Sequence, residues 1–184
     1  VAAAFGPPGQ VATLILPADV SWLDGGQVAA PVAPDPRGTV AADTIDAVAK
    51  VLRSGEPAAI LVGGTATGAD ALLAASRAAN ACGARLLCET FPARLARGAG
   101  RPNPERIQYL AEFAMHQLDG LRHLIVLDAK APVSFFAYPE KPSYLVPDGC
   151  EVHVLAGGGG EAAAALAAVA ELIGAPADGA TRQP

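Results

Sequence analysis

Residues 57–81, PAAILVGGTATGADALLAASRAANA, constrain the fold more than any other stretch of the chain. Ala58–Val62 is a short uninterrupted apolar run, the pattern of a strand buried on both faces. Gly63 and Gly64 follow at once, where the backbone needs freedom to turn. Thr67, with Asp70 three residues on, fits a capping box that opens a helix. Leu72, Leu73, Ser76 and Ala79 then recur at helical spacing, and Gly83 suits a left-handed helix end. The stretch reads as strand, glycine turn and helix, the first half of a βαβ unit. Residues 84–88 (ARLLC) supply its second parallel strand.

The totals narrow the class. A length of 184 residues favours one domain with a sizeable core. The chain is 52% hydrophobic and 17% charged, and much of the apolar excess is alanine, as expected of small-residue helices lying close on a sheet. A net charge of −5 gives a nucleic-acid partner no electrostatic support. No apolar run approaches the roughly 20 residues that span a bilayer, so no membrane segment is expected. The start, VAAAFGPPGQ, has no basic region and is not a signal peptide. Cys82, Cys88 and Cys150 form no C-x-x-C pair and read as free thiols of a reducing cytoplasm, with no metal site expected.

Taken in order, residues 1–4 resemble the end of a helix, and 11–16 (VATLIL) read as a strand stopped by Pro17. Residues 24–39 hold Pro31, Pro34, Pro36 and three glycines, an extended linker. Residues 42–53 form an amphipathic helix through Ile45, Val48, Ala49 and Leu52. A loop at 91–102 carries Arg94, Arg97 and Arg101. Asn103-Pro104 then opens a helix predicted to run to about Leu118, with Ile107, Leu110, Ala111, Ala114 and Leu118 inward. Strands come next at 123–128 and 151–155, separated by a proline-rich loop at 129–149 that holds Phe135, Phe136, Tyr138 and Tyr144. A last helix carries Leu166, Val169, Ala170 and Ile173, and 175–184 read as a second linker. This alternation predicts an α/β fold: an open parallel Rossmann-like sheet with helices on both faces and right-handed crossovers.

In such a sheet ligands sit at the C-terminal strand ends. Those ends carry Gly63, Gly64 and Thr65, then Glu89, then Asp128, which are the candidate cofactor-binding residues. The glycine turn could offer free N–H groups to a phosphate, but its order, G-G-x-x-x-G, is not the dinucleotide fingerprint, and a tight turn alone also explains it. Glu89, 25 residues after Gly64, could take a ribose hydroxyl or simply cap a strand end. Gly157 to Gly160 could form an anion nest or a flexible turn. Arg94, Arg97, Arg101 and Arg106 could bind an anion, or be solvated and paired with acids. His123 and His153 fall on strands as core residues, His116 lies on a helix, and no catalytic triad is spaced along the chain. The loop aromatics read as a packed lid or an interface. No catalytic set and no metal-ligating set emerges from the residues.

Residues 6–22, GPPGQVATLILPADVSW, resemble the end of the pyrimidine-binding domain of thiamine-diphosphate-dependent enzymes, where G-x-P-G-P-V leads into an apolar strand and P-x-D-V. The chain beyond Trp22 resembles that family's middle domain. The matching features are a proline-rich linker, a helix, a strand ending in Gly63-Gly64, and F-P-x-R at 91–94. Later DAKAPV at 128–133 and VPDGCEV at 146–152 continue the likeness. The acetolactate synthase and benzoylformate decarboxylase branches are most similar.

The resemblance implies a larger, oligomeric parent that decarboxylates a 2-keto acid with thiamine diphosphate and magnesium. Both would be bound outside this segment, by a glutamate of the preceding domain and a G-D-G…N motif of the following one. G-D-G occurs nowhere in the 184 residues. It implies a remnant of the preceding domain at 1–23, a linker at 24–41, a Rossmann-like middle domain at 42–174 and an outgoing linker at 175–184. Flanking domains of the same chain are then the natural partners. Family middle domains bind FAD in some branches and have lost it in others. GRPNP at 100–104 and AGGGG at 156–160 replace segments expected of the FAD binders, which points away from flavin. The expectation is that these 184 residues neither bind thiamine diphosphate nor turn over pyruvate. Titration calorimetry with the cofactor and magnesium checks it, micromolar binding being the contrary result.

Overall fold

The computed structural model describes residues 1–7, 9–34, 36, 38–137, 139–157 and 161–184. They fall into two units, 1–38 and 39–184. The first holds two short helices, α1 (Ala2–Phe5) and α2 (Ala18–Trp22). The strand expected at 11–16 is absent: Val11, Leu14 and Ile15 are exposed, Val11 at 94%. An apolar, β-prone run becomes a strand only when a neighbour pairs its backbone groups, and no strand among the described residues of this unit does so.

The second unit is built on a five-stranded, all-parallel sheet of order β3-β2-β1-β4-β5. It begins with α3 (Ala42–Leu52), whose Val48, Ala49 and Leu52 are buried, and β1 (Ala58–Val62), buried throughout. A 3-10 turn (Gly64–Thr67) leads into α4 (Ala69–Cys82). The capping box expected at Thr67 and Asp70 is not formed. Gly68 is the N-cap, and the Thr67 hydroxyl instead donates to the Gly64 carbonyl at 2.7 Å, closing the 3-10 turn. At the other end Gly83, at φ 72°, makes the expected left-handed cap.

After β2 (Arg85–Cys88), the helix expected from residue 104 is replaced by an edge strand, β3 (Glu105–Arg106), and α5 (Ala111–Leu118) starts seven residues later than Pro104. Leu87 and Cys88 pair with Glu105 and Arg106, and the Ile107 N–H donates to the Cys88 carbonyl. The Gln117 amide holds the connection from below, accepting from the Gln108 N–H and donating to the Arg106 carbonyl. Satisfying the open edge of β2 outweighs the local helix-start signal of Asn103-Pro104. Ile107 is buried as expected, whereas Leu110 is 40% exposed.

β4 (His123–Leu127), β5 (Glu151–Ala156) and α6 (Ala162–Leu172) complete the unit. The two sheet faces carry separate cores. Ala58, Ile60 and Val62 join α3, α4 and α6 on one side; Ala59 and Leu61 join α5, Leu145 and Val146 on the other. Residues 175–184, expected as a linker, run back along α4: Arg77 donates to the Ala175 and Pro176 carbonyls, Asn80 to Gly179 and Thr181, and the Thr181 N–H to the buried Ser76 hydroxyl. Among the described residues no helix is long and apolar enough to cross a membrane.

Ile60 is fully buried at the centre of this arrangement. Ile60→Ala should cost about 2–5 kcal/mol. Gly83→Ala, with open space around the new methyl but a left-handed backbone, should cost about 1–2 kcal/mol. Urea unfolding midpoints measure both.

Candidate functional site

The chain leaves β1 towards β2 on one side and leaves β4 towards β5 on the other. The crevice between the C-terminal ends of β1 and β4 is therefore the topological switch point, where open α/β sheets hold ligands. The five residues expected from sequence meet there: Gly63, Gly64 and Thr65 beyond β1, Glu89 beyond β2, and Asp128 beyond β4. Main-chain bonds lock these ends together, with Gly63 N–H to Leu127 carbonyl at 2.9 Å, Glu89 N–H to Val62 carbonyl at 3.3 Å, and Asp128 N–H to Ala156 carbonyl at 2.8 Å.

Asp128 adopts φ 46°, the left-handed region that aspartate tolerates better than most side chains. Its Oδ2 accepts from the Thr65 N–H at 3.2 Å and from the Thr65 hydroxyl. Its Oδ1 is buried and has no hydrogen-bond partner among the described residues. Glu89 lies against the glycine turn: a Cβ built on Gly63 would stand 2.6 Å from Glu89 Oε2 and 2.7 Å from the Asp128 carbonyl oxygen. Burial pushes the Glu89 carboxyl above its ordinary range and the Asp128 charge pushes the same way, opposed by the Lys130 backbone N–H and ammonium.

The Thr65 N–H, which a phosphate would need, is thus taken by an internal carboxylate, and a second carboxylate stands beside it. The donor set does not fit a phosphate at Gly63–Thr65. What the crevice offers is a spare acceptor, Asp128 Oδ1, suited to a donor such as a hydroxyl. Next to it Thr65, Thr67, Gly68 and Arg94 help line an open groove of about 680 Å³. The N-terminus of α4, with no side-chain cap, opens on the groove that Arg94 also lines. Of the glycine run at the end of β5, residues 158–160 lie outside the described residues, as does Tyr138.

Other sequence candidates fall elsewhere. Arg97 and Arg106 lie near the buried Cys88 thiol, which burial holds above its ordinary range and the two guanidinium groups draw down. Phe135 and Phe136 pack edge to face with each other, and Phe91 and Tyr109 join them with ring centroids 5.2–5.6 Å apart. Sequence reasoning missed one grouping. At the opposite, N-terminal edge of the sheet, His123 Nδ1 lies 3.0 Å from His153 Nε2, and His123 Nε2 lies 2.9 Å from a Glu56 carboxylate oxygen. Strand register creates this contact, since His123 is paired with Glu151 and Ile125 with His153. No spacing along the chain reveals a register between strands about thirty residues apart.

No family model matches the chain. Over 178 residues it is 57% identical to "Putative acetolactate synthase large subunit IlvX" of Mycobacterium tuberculosis, an alignment covering 94% of this chain and 34% of that protein. Along nearly its whole length the chain is thus similar to one part of a putative acetolactate synthase large subunit. It spans about a third of the length of the curated relative it matches. A solved structure, that of "a putative thiamin diphosphate-dependent enzyme isolated from Mycobacterium smegmatis", shares the fold, with a TM-score of 0.63 at 21% identity over 95% of this chain and 36% of that one. The sequence likeness runs along nearly the whole chain, and the parallel sheet is the fold shared with the solved structure.

Two substitutions probe the strand ends. Gly63→Ala drives a methyl group into a main-chain oxygen and should cost about 1–3 kcal/mol by urea unfolding. For Glu89 the folded-state value is raised, so its contribution favours the fold at pH below the unfolded carboxylate value and is lost as pH rises through the folded one. Glu89→Gln, permanently neutral, should equal the parent at about pH 3, below the unfolded carboxylate value, and exceed it in stability at pH 7. Equal stabilities at both pH values would contradict the assignment.

Proposed function

We propose that this chain is the central, architectural domain of an acetolactate-synthase-like enzyme, holding two cofactor-binding domains at a fixed spacing and supplying oligomer surface. The parent would be a magnesium- and thiamine-diphosphate-dependent cytoplasmic protein that decarboxylates a 2-keto acid, with acyl transfer or aldehyde release. The cofactor would supply the electron sink on which the keto acid loses carbon dioxide. The carrying observation is the extent of the match: nearly all of this chain aligns with only a third of its relative. The strand-end geometry supports the reading, because the place where a sheet of this type would hold a phosphate is filled by the carboxylates of Asp128 and Glu89. Phe91, Tyr109, Phe135 and Phe136 are 41–62% exposed, an aromatic patch of the kind that marks docking surfaces.

A second reading has its own observation. The groove beside Arg94 and the uncapped start of α4 could hold the phosphates of FAD or another nucleotide, with Asp128 Oδ1 receiving a hydroxyl. Under it Thr65, Glu89 and Asp128 become ligand residues rather than fillers.

The decisive experiment uses the full reading frame that contains this segment. A spacer domain predicts a downstream G-D-G motif, pyruvate consumption dependent on thiamine diphosphate and magnesium, and loss of the oligomer with Phe135→Asp while this segment still folds. A frame without that motif, or one inactive on every 2-keto acid tried, overturns the proposal. A flavin spectrum in the purified protein, bleached by Arg94→Glu, selects the second reading.

A further inference from the structure

We propose that His123, His153 and Glu151 bind one divalent transition-metal ion of the zinc type at the N-terminal edge of the sheet, on the side opposite the strand-end crevice. The three offer one ligand atom each, all within 4.8 Å of one another. Two imidazole nitrogens and a carboxylate oxygen are a donor set for zinc, cobalt, nickel or copper, and a poor one for magnesium or calcium, which take oxygen ligands.

The protein has already set the tautomer that such a site needs at His123. Glu56 accepts a hydrogen bond from His123 Nε2, so the proton resides there and Nδ1 presents its lone pair. His153 Nε2–H then donates to that lone pair across 3.0 Å. This is the carboxylate–histidine arrangement that orients imidazole ligands around metals. An ion would take the place of the His153 Nε2 proton as that ring shifts to its Nδ1–H tautomer and Nε2 presents its lone pair. Metal–nitrogen bonds of about 2.0–2.1 Å at a tetrahedral angle separate the two nitrogens by about 3.3–3.4 Å, so the pair needs to open by only a few tenths of an ångström.

Rigidity and access are both suitable. The two rings are held on adjacent paired strands, with side chains 13% and 15% exposed. Glu151 is 71% exposed and its Oε2 stands 3.9 Å from His153 Nε2, free to swing onto an ion, with water completing the fourth position. Strand register puts the three ligands on one face, and the 2.9 Å contact with His123 brings Glu56, just ahead of β1, to the same place. The Glu56 and Glu151 carboxylates beside the two imidazoles give the edge an attraction for a dication.

The test uses the untagged chain, stripped with chelator and titrated with Zn²⁺ at pH 7.5 against a chromophoric competitor. The expected result is one ion per chain at micromolar affinity or tighter, with a Tm that rises and saturates with zinc. His153→Ala should weaken binding at least 100-fold and Glu151→Gln about 10-fold or more, while His116→Ala leaves it unchanged. Glu151 is solvent-facing, so that variant reports even if loss of the His153 ring unfolds the protein. Co²⁺ in place of zinc should give visible ligand-field bands without a thiolate charge-transfer band, separating this site from the three cysteines. Absence of a saturable ion, an ion indifferent to Glu151→Gln and His153→Ala, or a cobalt spectrum of thiolate type would overturn the assignment and leave a hydrogen-bonded histidine pair.

Discussion

Every other element takes its place from the double burial of β1. Ala58–Val62 has no solvent face, and alternate side chains belong to different cores: Ala58, Ile60 and Val62 to one, Ala59 and Leu61 to the other. A strand in that position must have strands on both edges and cover on both faces. β2 and β4 supply the edges. α3, α4 and α6 cover one face, and α5 with part of the long loop covers the other. The strand's apolar continuity therefore dictates a layered α/β unit before any particular packing contact is considered.

The same strand delivers the backbone to the switch point, and there the local chemistry departs from a nucleotide-binding site. Gly63 is needed because Glu89 and the Asp128 carbonyl crowd it. Asp128 plays the part of an internal anion, accepting the Thr65 N–H that a bound phosphate would otherwise use. A side chain here supplies a charge of the kind a ligand would bring, and the turn keeps its shape around it. Among the described residues, the orphaned Oδ1 of Asp128 is the group in the crevice left without such compensation.

How much is legible in the sequence depends on the range of the interactions. β1, α3, the left-handed cap at Gly83 and the convergence of Glu89 and Asp128 on the glycine turn can all be read from it, because periodicity, glycine and strand order are properties of the chain itself. β3 cannot, since two residues are too few to show a period and their pairing with Leu87 and Cys88 is tertiary. The expected capping box is absent because the helix starts at Ala69 with Gly68 as its N-cap, which leaves Thr67 in the 3-10 turn, where its hydroxyl donates to the Gly64 carbonyl. Val11, Leu14 and Ile15 have the composition of a strand but stand exposed, and composition alone does not pair a backbone. The His123–His153 contact depends on register between β4 and β5, which no single segment encodes.

The alanines of α4 and α6 carry a further meaning. Ala71, Ala74, Ala75, Ala78 and Ala79 are buried in the same core as Ala162, Ala165 and Ala170, and the two helices touch along it. A methyl group has no rotamers to surrender when it is enclosed, so this seam forms at little side-chain entropic cost. It also holds almost no adjustable volume. Any larger residue would have to separate two helices rather than turn a torsion angle, so drift in sequence at these positions should be far narrower than their plain chemistry suggests.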